Sequence, residues 1–245
     1  MSQLTEKDFL DIKDEIKEGR LSPDSIRFYL GVFMFFSALM VGIAFAVAVS
    51  SSSVIGWDNL SVFWHSVFWL QAALFLFQLI LIFLVRGKSN RTQIILLISY
   101  VIYTYKMVLD PFVLMSMFAM NDGVYETFRL IFVTVIIVGF LLHLYLIRRT
   151  FIELKVKKSK KNKKEKSGNF MYAFLPILFL LVSITGYIIK NELLGENEIL
   201  FGTGALTFLY IAVMIGAVEF VMGAYCIIRF PSFRVNPPSS KKKNA

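Results

Sequence analysis

The sequence predicts an all-α polytopic membrane protein. It reads as six transmembrane helices, N-in and C-in, with a short amphipathic cytosolic N-terminal helix. Three observations carry this expectation. Hydrophobic residues make up 57% of the chain and charged residues 18%, against roughly 45–50% and about 25% in soluble domains. The apolar residues are gathered into blocks of spanning length. Lys and Arg fall almost entirely in alternate connections between those blocks.

Residues 1–26 read as a cytosolic tail with seven acids and four bases. Thr5 is placed to cap a helix carrying Phe9, Ile12 and Ile16 on one face and ending at Gly19. Ser22-Pro23-Asp24 then starts a fresh helix, with Ser as cap and Pro at the first helical position. Cationic membrane-surface helices have the opposite charge balance, so the short helix is expected to pack on the protein's own cytosolic face, with docking to a partner as the alternative.

Residues 27–147 carry the first four spans. Span 1, Phe28–Ser50, is free of charge, and Gly31, Ala38, Gly42 and Ala46 give it a small-residue ridge suited to close helix contact. Span 2, Ser61–Val85, places Gln71 and Gln78 on one face. Span 3, Thr92–Met120, is interrupted by Lys106, Asp110 and Pro111, and span 4, Phe128–Ile147, holds Gly139 and His143 one turn apart. Residues 148–169 read as a basic cytosolic linker. Residues 170–228 carry span 5, Phe170–Ile189 with Pro176, and span 6, Leu200–Ile228 with Glu219. Residues 229–245 form a basic cytosolic tail. At 1.5 Å per residue, each block crosses a hydrocarbon core of ~30 Å.

The connections set the orientation. The N-tail through Arg27, the connection with Arg86, Lys88 and Arg91, the linker from Arg148 to Lys166 and the C-tail together hold 23 of the 26 Lys and Arg. The opposite loops, Ser51–Leu60 and Asn121–Glu126, hold none, and Asn191–Ile199 is acidic. This is a positive-inside pattern. Trp57 and Trp64 suit an outer interfacial belt, and Trp69 lies deeper.

Ser99, Tyr103, Lys106 and Asp110 recur at helical spacing, so they form one polar stripe along span 3. A lysine and an aspartate one turn apart inside a membrane are costly unless sheltered. Two readings stand: a local Lys106–Asp110 pair, or a charged site lining a polar cavity where Lys106 attracts an anionic group or a partner carboxylate. Span 6 offers such a carboxylate. Ala212, Gly216, Glu219 and Gly223 share a helical face with Ala205 and Cys226, and Glu219 is its only charge. By helix rise Glu219 sits about 7 Å nearer the cytosol than Lys106, within reach of a lysine side chain from an adjacent helix. A Lys106–Glu219 tie and an open transport site are both expectations of this pattern.

Other chemistry is poorly represented. Cys226 is the single cysteine, which excludes an internal disulfide and a multi-cysteine metal site. His65 and His143 lie near opposite faces of the membrane, too far apart to share a metal, and read as interfacial or packed residues. No HExxH, GxSxG or Walker A pattern occurs, so an intramembrane enzyme is the least favoured class, and no cofactor or metal is expected. In the linker, Lys157, Lys158, Lys160, Lys161, Lys163 and Lys164 suit contact with anionic lipid head groups. Nucleic acid is not an expected partner, because no aromatic platform or folded module accompanies the basic run.

Six spans with both termini inside in a chain of 245 residues resemble two bacterial groups. One is the ABC-2-type permease subunits, including small ones associated with peptide-antibiotic immunity, and the amphipathic Thr5–Lys17 segment fits that layout. RGKSNR, between spans 2 and 3, is short for a segment that couples to an ATPase. The other is the twin-arginine translocase core subunit, whose polar N-terminal motif this chain lacks. Both resemblances cover topology alone and assign no family. With the polar stripe, this layout is read as a non-enzymatic, permease-like transport component whose polar centre is formed by Lys106, Asp110 and Glu219, with another membrane protein or a cytosolic ATPase as partner. The alternative is an accessory or immunity-type protein that binds another membrane protein through the small-residue ridges of spans 1 and 6 and its cytosolic tails. Homo-oligomerisation fits either. The Lys-, Ile- and Phe-rich composition looks like a low-GC bacterium and a cell-membrane location. The terminal KKNA, with Lys242 and Lys243, resembles a dilysine signal and points to the endoplasmic reticulum if the source is eukaryotic.

Overall fold

The computed structural model describes residues 5–17, 19–50, 55–85, 89–157 and 198–234. A 3-10 turn at Glu6–Phe9 leads into α1, Leu10–Lys17. The longer helices are α2, Pro23–Val49; α3, Val62–Leu84; α4, Asn90–Asn121; α5, Tyr125–Lys157; and α6, Glu198–Arg229. Further 3-10 turns lie at Trp57–Asn59 and Pro231–Phe233. The described elements are all helical, and α2 to α6 are each long and apolar enough to cross a membrane. They correspond to predicted spans 1, 2, 3, 4 and 6. Predicted span 5, Lys158 to Lys164 of the basic run, and the terminal KKNA lie outside the described residues, as does the side chain of Lys157.

Local chemistry sets the helix ends. Asp8 reaches back to the backbone N–H of Thr5 at 2.7 Å and to its hydroxyl at 3.0 Å. Ser22 accepts from the N–H of Ser25, with Pro23 opening α2, and Ser89 accepts from the N–H of Thr92 to cap α4. Past the end of α4, Gly123 adopts φ 71°, and the Val124 N–H returns to Ala119 O at 2.9 Å. That left-handed closing residue favours glycine.

The helix α4 is the central post. Half of its most apolar window is buried, against 22% for α2 and 17% for α5. The helices α2 and α6 pack along it, α3 lies against α2, and α5 lies against α6 and α4. One core cluster gathers Leu30, Leu81, Leu96, Leu97, Cys226 and Ile227, joined by Leu154. The opposite end gathers Ala48, Trp64 and Met117, with Ala119, Phe132 and Ile199 beside them. The start of α2 and the ends of α5 and α6 therefore share one end of the bundle, while α6 begins at the other.

The amphipathic N-terminal segment folds back onto that first end. Phe9 and Ile16 are fully buried there with Phe233, and the Phe9 ring lies 5.6 Å from Phe230 and 5.8 Å from Tyr225. The apolar face at 9, 12 and 16 is thus spent on the protein's own helix ends.

Three expectations need correction. The helix α5 continues to Lys157, past the expected end at Ile147 and into the stretch read as linker. The stretch RRTFIELKVK contains no Gly or Pro to stop it. Among the described residues the small-residue ridge of α2 does not make an internal contact: Ala38, Gly42 and Ala46 are exposed, and no described residue lies within 4 Å of a Cβ built on Gly31 or Gly42. The buried face of α2 is instead Ile26, Leu30, Ser37, Val41, Ala44 and Ala48. In a lipid environment polar satisfaction orients a helix more strongly than apolar area, and Ser37 and the Leu30 carbonyl both have partners on that face. Trp64 is buried against the core rather than belted outside, whereas Trp69 is 73% exposed.

Candidate functional site

The four stripe residues Ser99, Tyr103, Lys106 and Asp110 are all buried, and Tyr103, Lys106 and Asp110 meet α2 and α3. The Lys106 Nζ lies 2.9 Å from Asp110 Oδ2, and the two side chains are 5% and 0% exposed. Ser37 of α2 sits between them: Lys106 donates to its hydroxyl, and the hydroxyl donates to Asp110 Oδ2. From α3, Gln71 Nε2 donates to Asp110 Oδ1 at 2.7 Å, and the Phe75 ring centroid lies 4.1 Å from Lys106 Nζ. A lysine ammonium has three donors; here Asp110, Ser37 and an aromatic face surround it. The result is a net-neutral, buried cluster that joins three helices. One turn along, the Tyr103 hydroxyl donates to Leu74 O at 2.8 Å, and further on Gln78 Nε2 donates to Leu30 O at 2.8 Å.

Glu219 does not join this cluster, which corrects the expected Lys106–Glu219 tie. Its Oε1 accepts from Arg20 Nη2 at 2.7 Å, and Arg20 also contacts Glu15. The cause lies one turn along α6. Gly223 has no side chain, and a Cβ there would lie 2.7 Å from Leu21 Cδ1. Its bareness admits Leu21, and Leu21 brings its neighbour Arg20 over Glu219. The small face of α6 thus receives the N-terminal turn, while Ala212 and Gly216 are half-buried.

A second polar contact lies on the other side of α4. His143 of α5 is fully buried. Its Nδ1 lies 2.7 Å from Met214 O and its Nε2 2.7 Å from the Tyr105 hydroxyl. A carbonyl only accepts, so Nδ1 carries the proton and Nε2 accepts from Tyr105. Nearby, Gly139 leaves room for the Tyr210 ring, whose hydroxyl donates to Ile136 O at 2.9 Å. Among the described residues, no three His, Cys, Asp or Glu side chains cluster to hold a metal.

Sequence reasoning missed Ser37, Arg20, Phe75 and Tyr105. Ser37 left a signal: it is the polar position on the face of Ile26, Leu30, Val41, Ala44 and Ala48. Arg20 left none, because 199 residues separate it from Glu219. No family model matches the chain, nor does any curated protein or solved structure.

Proposed function

We propose that this chain is a non-enzymatic integral membrane component that acts by contact with another protein in the bilayer, and in which Lys106 and Asp110 lock helices together. One observation carries the reading: both charges are buried and mutually satisfied by Ser37, Gln71 and Phe75. A site that attracts an anionic substrate needs a lysine with free donors facing water. Here the ammonium is committed to partners within the protein. The ridge of α2 supports the contact role, because no described residue lies within 4 Å of a Cβ built on Gly31 or Gly42.

The same reading takes six spans with both termini cytosolic. It is supported by the positive-inside pattern and by α5 ending, and α6 starting, at opposite ends of the bundle. Cysteine labelling tests it in a Cys226→Ala background. Asn59→Cys and Asp122→Cys are expected to react with an impermeant maleimide from outside, and Lys7→Cys only after permeabilisation. Reaction of Lys7→Cys in intact cells overturns the orientation.

Contact is tested by purification in mild detergent with Gly42→Leu as the comparison. A co-purifying membrane protein lost in the variant, at unchanged thermal stability, supports the reading; retention of the same protein overturns it. The second reading, a permease-like transport subunit for the cell membrane, draws on the polar seam running from Asp110 to Gln78. Co-purification of a cytosolic ATPase favours it.

A further inference from the structure

Gln71 and Gln78 of α3 are 8% and 1% exposed, and each uses only half of its amide. Gln71 Nε2 donates to the Asp110 carboxylate and Gln78 Nε2 to the Leu30 carbonyl. Both partners are acceptors, so each NH2 must face its partner and each Oε1 must point elsewhere. Neither Oε1 meets a hydrogen-bond donor among the described residues. An unsatisfied buried carbonyl costs about 1–3 kcal/mol, and hydrocarbon supplies no donor.

The two oxygens belong to one seam. Gln71 meets Asp110, and Leu74 meets Tyr103, so α3 and α4 run antiparallel along this seam. Gln71 and Gln78 are separated by about 10 Å of helix rise, and the Tyr103 hydroxyl lies between them. Its hydrogen is given to Leu74 O, which leaves the phenolic oxygen free to accept.

We propose that the seam between α2, α3 and α4 is an internal water site. One water donates to each orphan amide oxygen, and the file runs from the Lys106–Asp110 pair past Tyr103 toward the end of the bundle where α2 begins. Water fits the seam better than a metal ion or ammonium. Lys106 already supplies the positive charge that balances Asp110, so a second cation would be repelled. A neutral molecule that donates twice can bridge an amide oxygen to the Tyr103 oxygen, and buried waters commonly make about three such bonds.

The test is X-ray radiolytic labelling of the full chain in lipid nanodiscs, read by mass spectrometry, because hydroxyl radicals form from bound waters where they sit. Tyr103 and Tyr210 are each 2% exposed, but Tyr210 lies in the apolar cluster between α4, α5 and α6. Tyr103 is expected to label several-fold faster than Tyr210, and Gln78→Met to slow Tyr103 without changing Tyr210. Equal rates for the two tyrosines in the unaltered protein overturn the proposal, whatever the variant does. An undiminished Tyr103 rate in a normally folded Gln78→Met variant overturns the assignment to Gln78.

Discussion

Arg20 donates to Glu219 across 2.7 Å, although 199 residues separate them in the chain. The contact ties the turn between α1 and α2 to the middle of the last described turns of α6. Arg20 is 19% and Glu219 32% exposed, so the pair is partly screened and contributes about 1 kcal/mol or less. Arg20→Ala is expected to lower the thermal transition by a few degrees, and Glu219→Gln by less, because it leaves no unbalanced carboxylate. Combining them should cost less than the sum of the two. Thermal unfolding in nanodiscs followed by intrinsic fluorescence measures all three, and strict additivity would show that the two residues do not interact.

The Lys106–Asp110 pair should behave differently, because it is buried, with side chains 5% and 0% exposed. Removing one partner strands a buried charge, at about 3–5 kcal/mol. Lys106→Leu and Asp110→Leu are each expected to reduce folded yield sharply, and the double substitution to recover much of it. Size-exclusion profiles and thermal melts report the recovery. A double variant as poor as the worse single one would mean that Ser37, Gln71 and Phe75 need the charges themselves.

The N-terminal segment is predicted to be structural. Phe9 and Ile16 are 1% and 0% exposed, whereas Leu10 is 51% exposed. Truncation of buried residues of this size costs about 2–5 kcal/mol. Phe9→Ala and Ile16→Ala should lower the melting temperature and expose residues 5–17 to limited proteolysis, while Leu10→Ala should leave both unchanged. Equal proteolysis of all three variants would place the segment off the bundle.

Gly139 is expected to tolerate no side chain, because a Cβ there would overlap the Tyr210 ring. Overpacking of this kind costs about 1–3 kcal/mol. Gly139→Ala should destabilise the protein in thermal melts. Adding Tyr210→Leu, which removes the ring, should cancel much of that penalty; adding Tyr210→Phe, which keeps it, should not.

The sequence alone determined where the chain is helical and which helices can span a membrane, because hydropathy, caps and breakers act over one or two turns. Ser22-Pro23 and the apolar blocks gave α2 to α6 without reference to any other element. It also marked the stripe from Ser99 to Asp110 as exceptional, since charge in an apolar run is costly wherever the helix goes. Tertiary structure alone decided which groups satisfy those charges. The rotation of α2 about its axis sends Ser37 inward and the glycine ridge outward, and the gap at Gly223 admits Leu21 and so delivers Arg20 to Glu219. Neither follows from periodicity, because every face of an apolar helix reads alike until a hydrogen-bond partner or a close approach selects one.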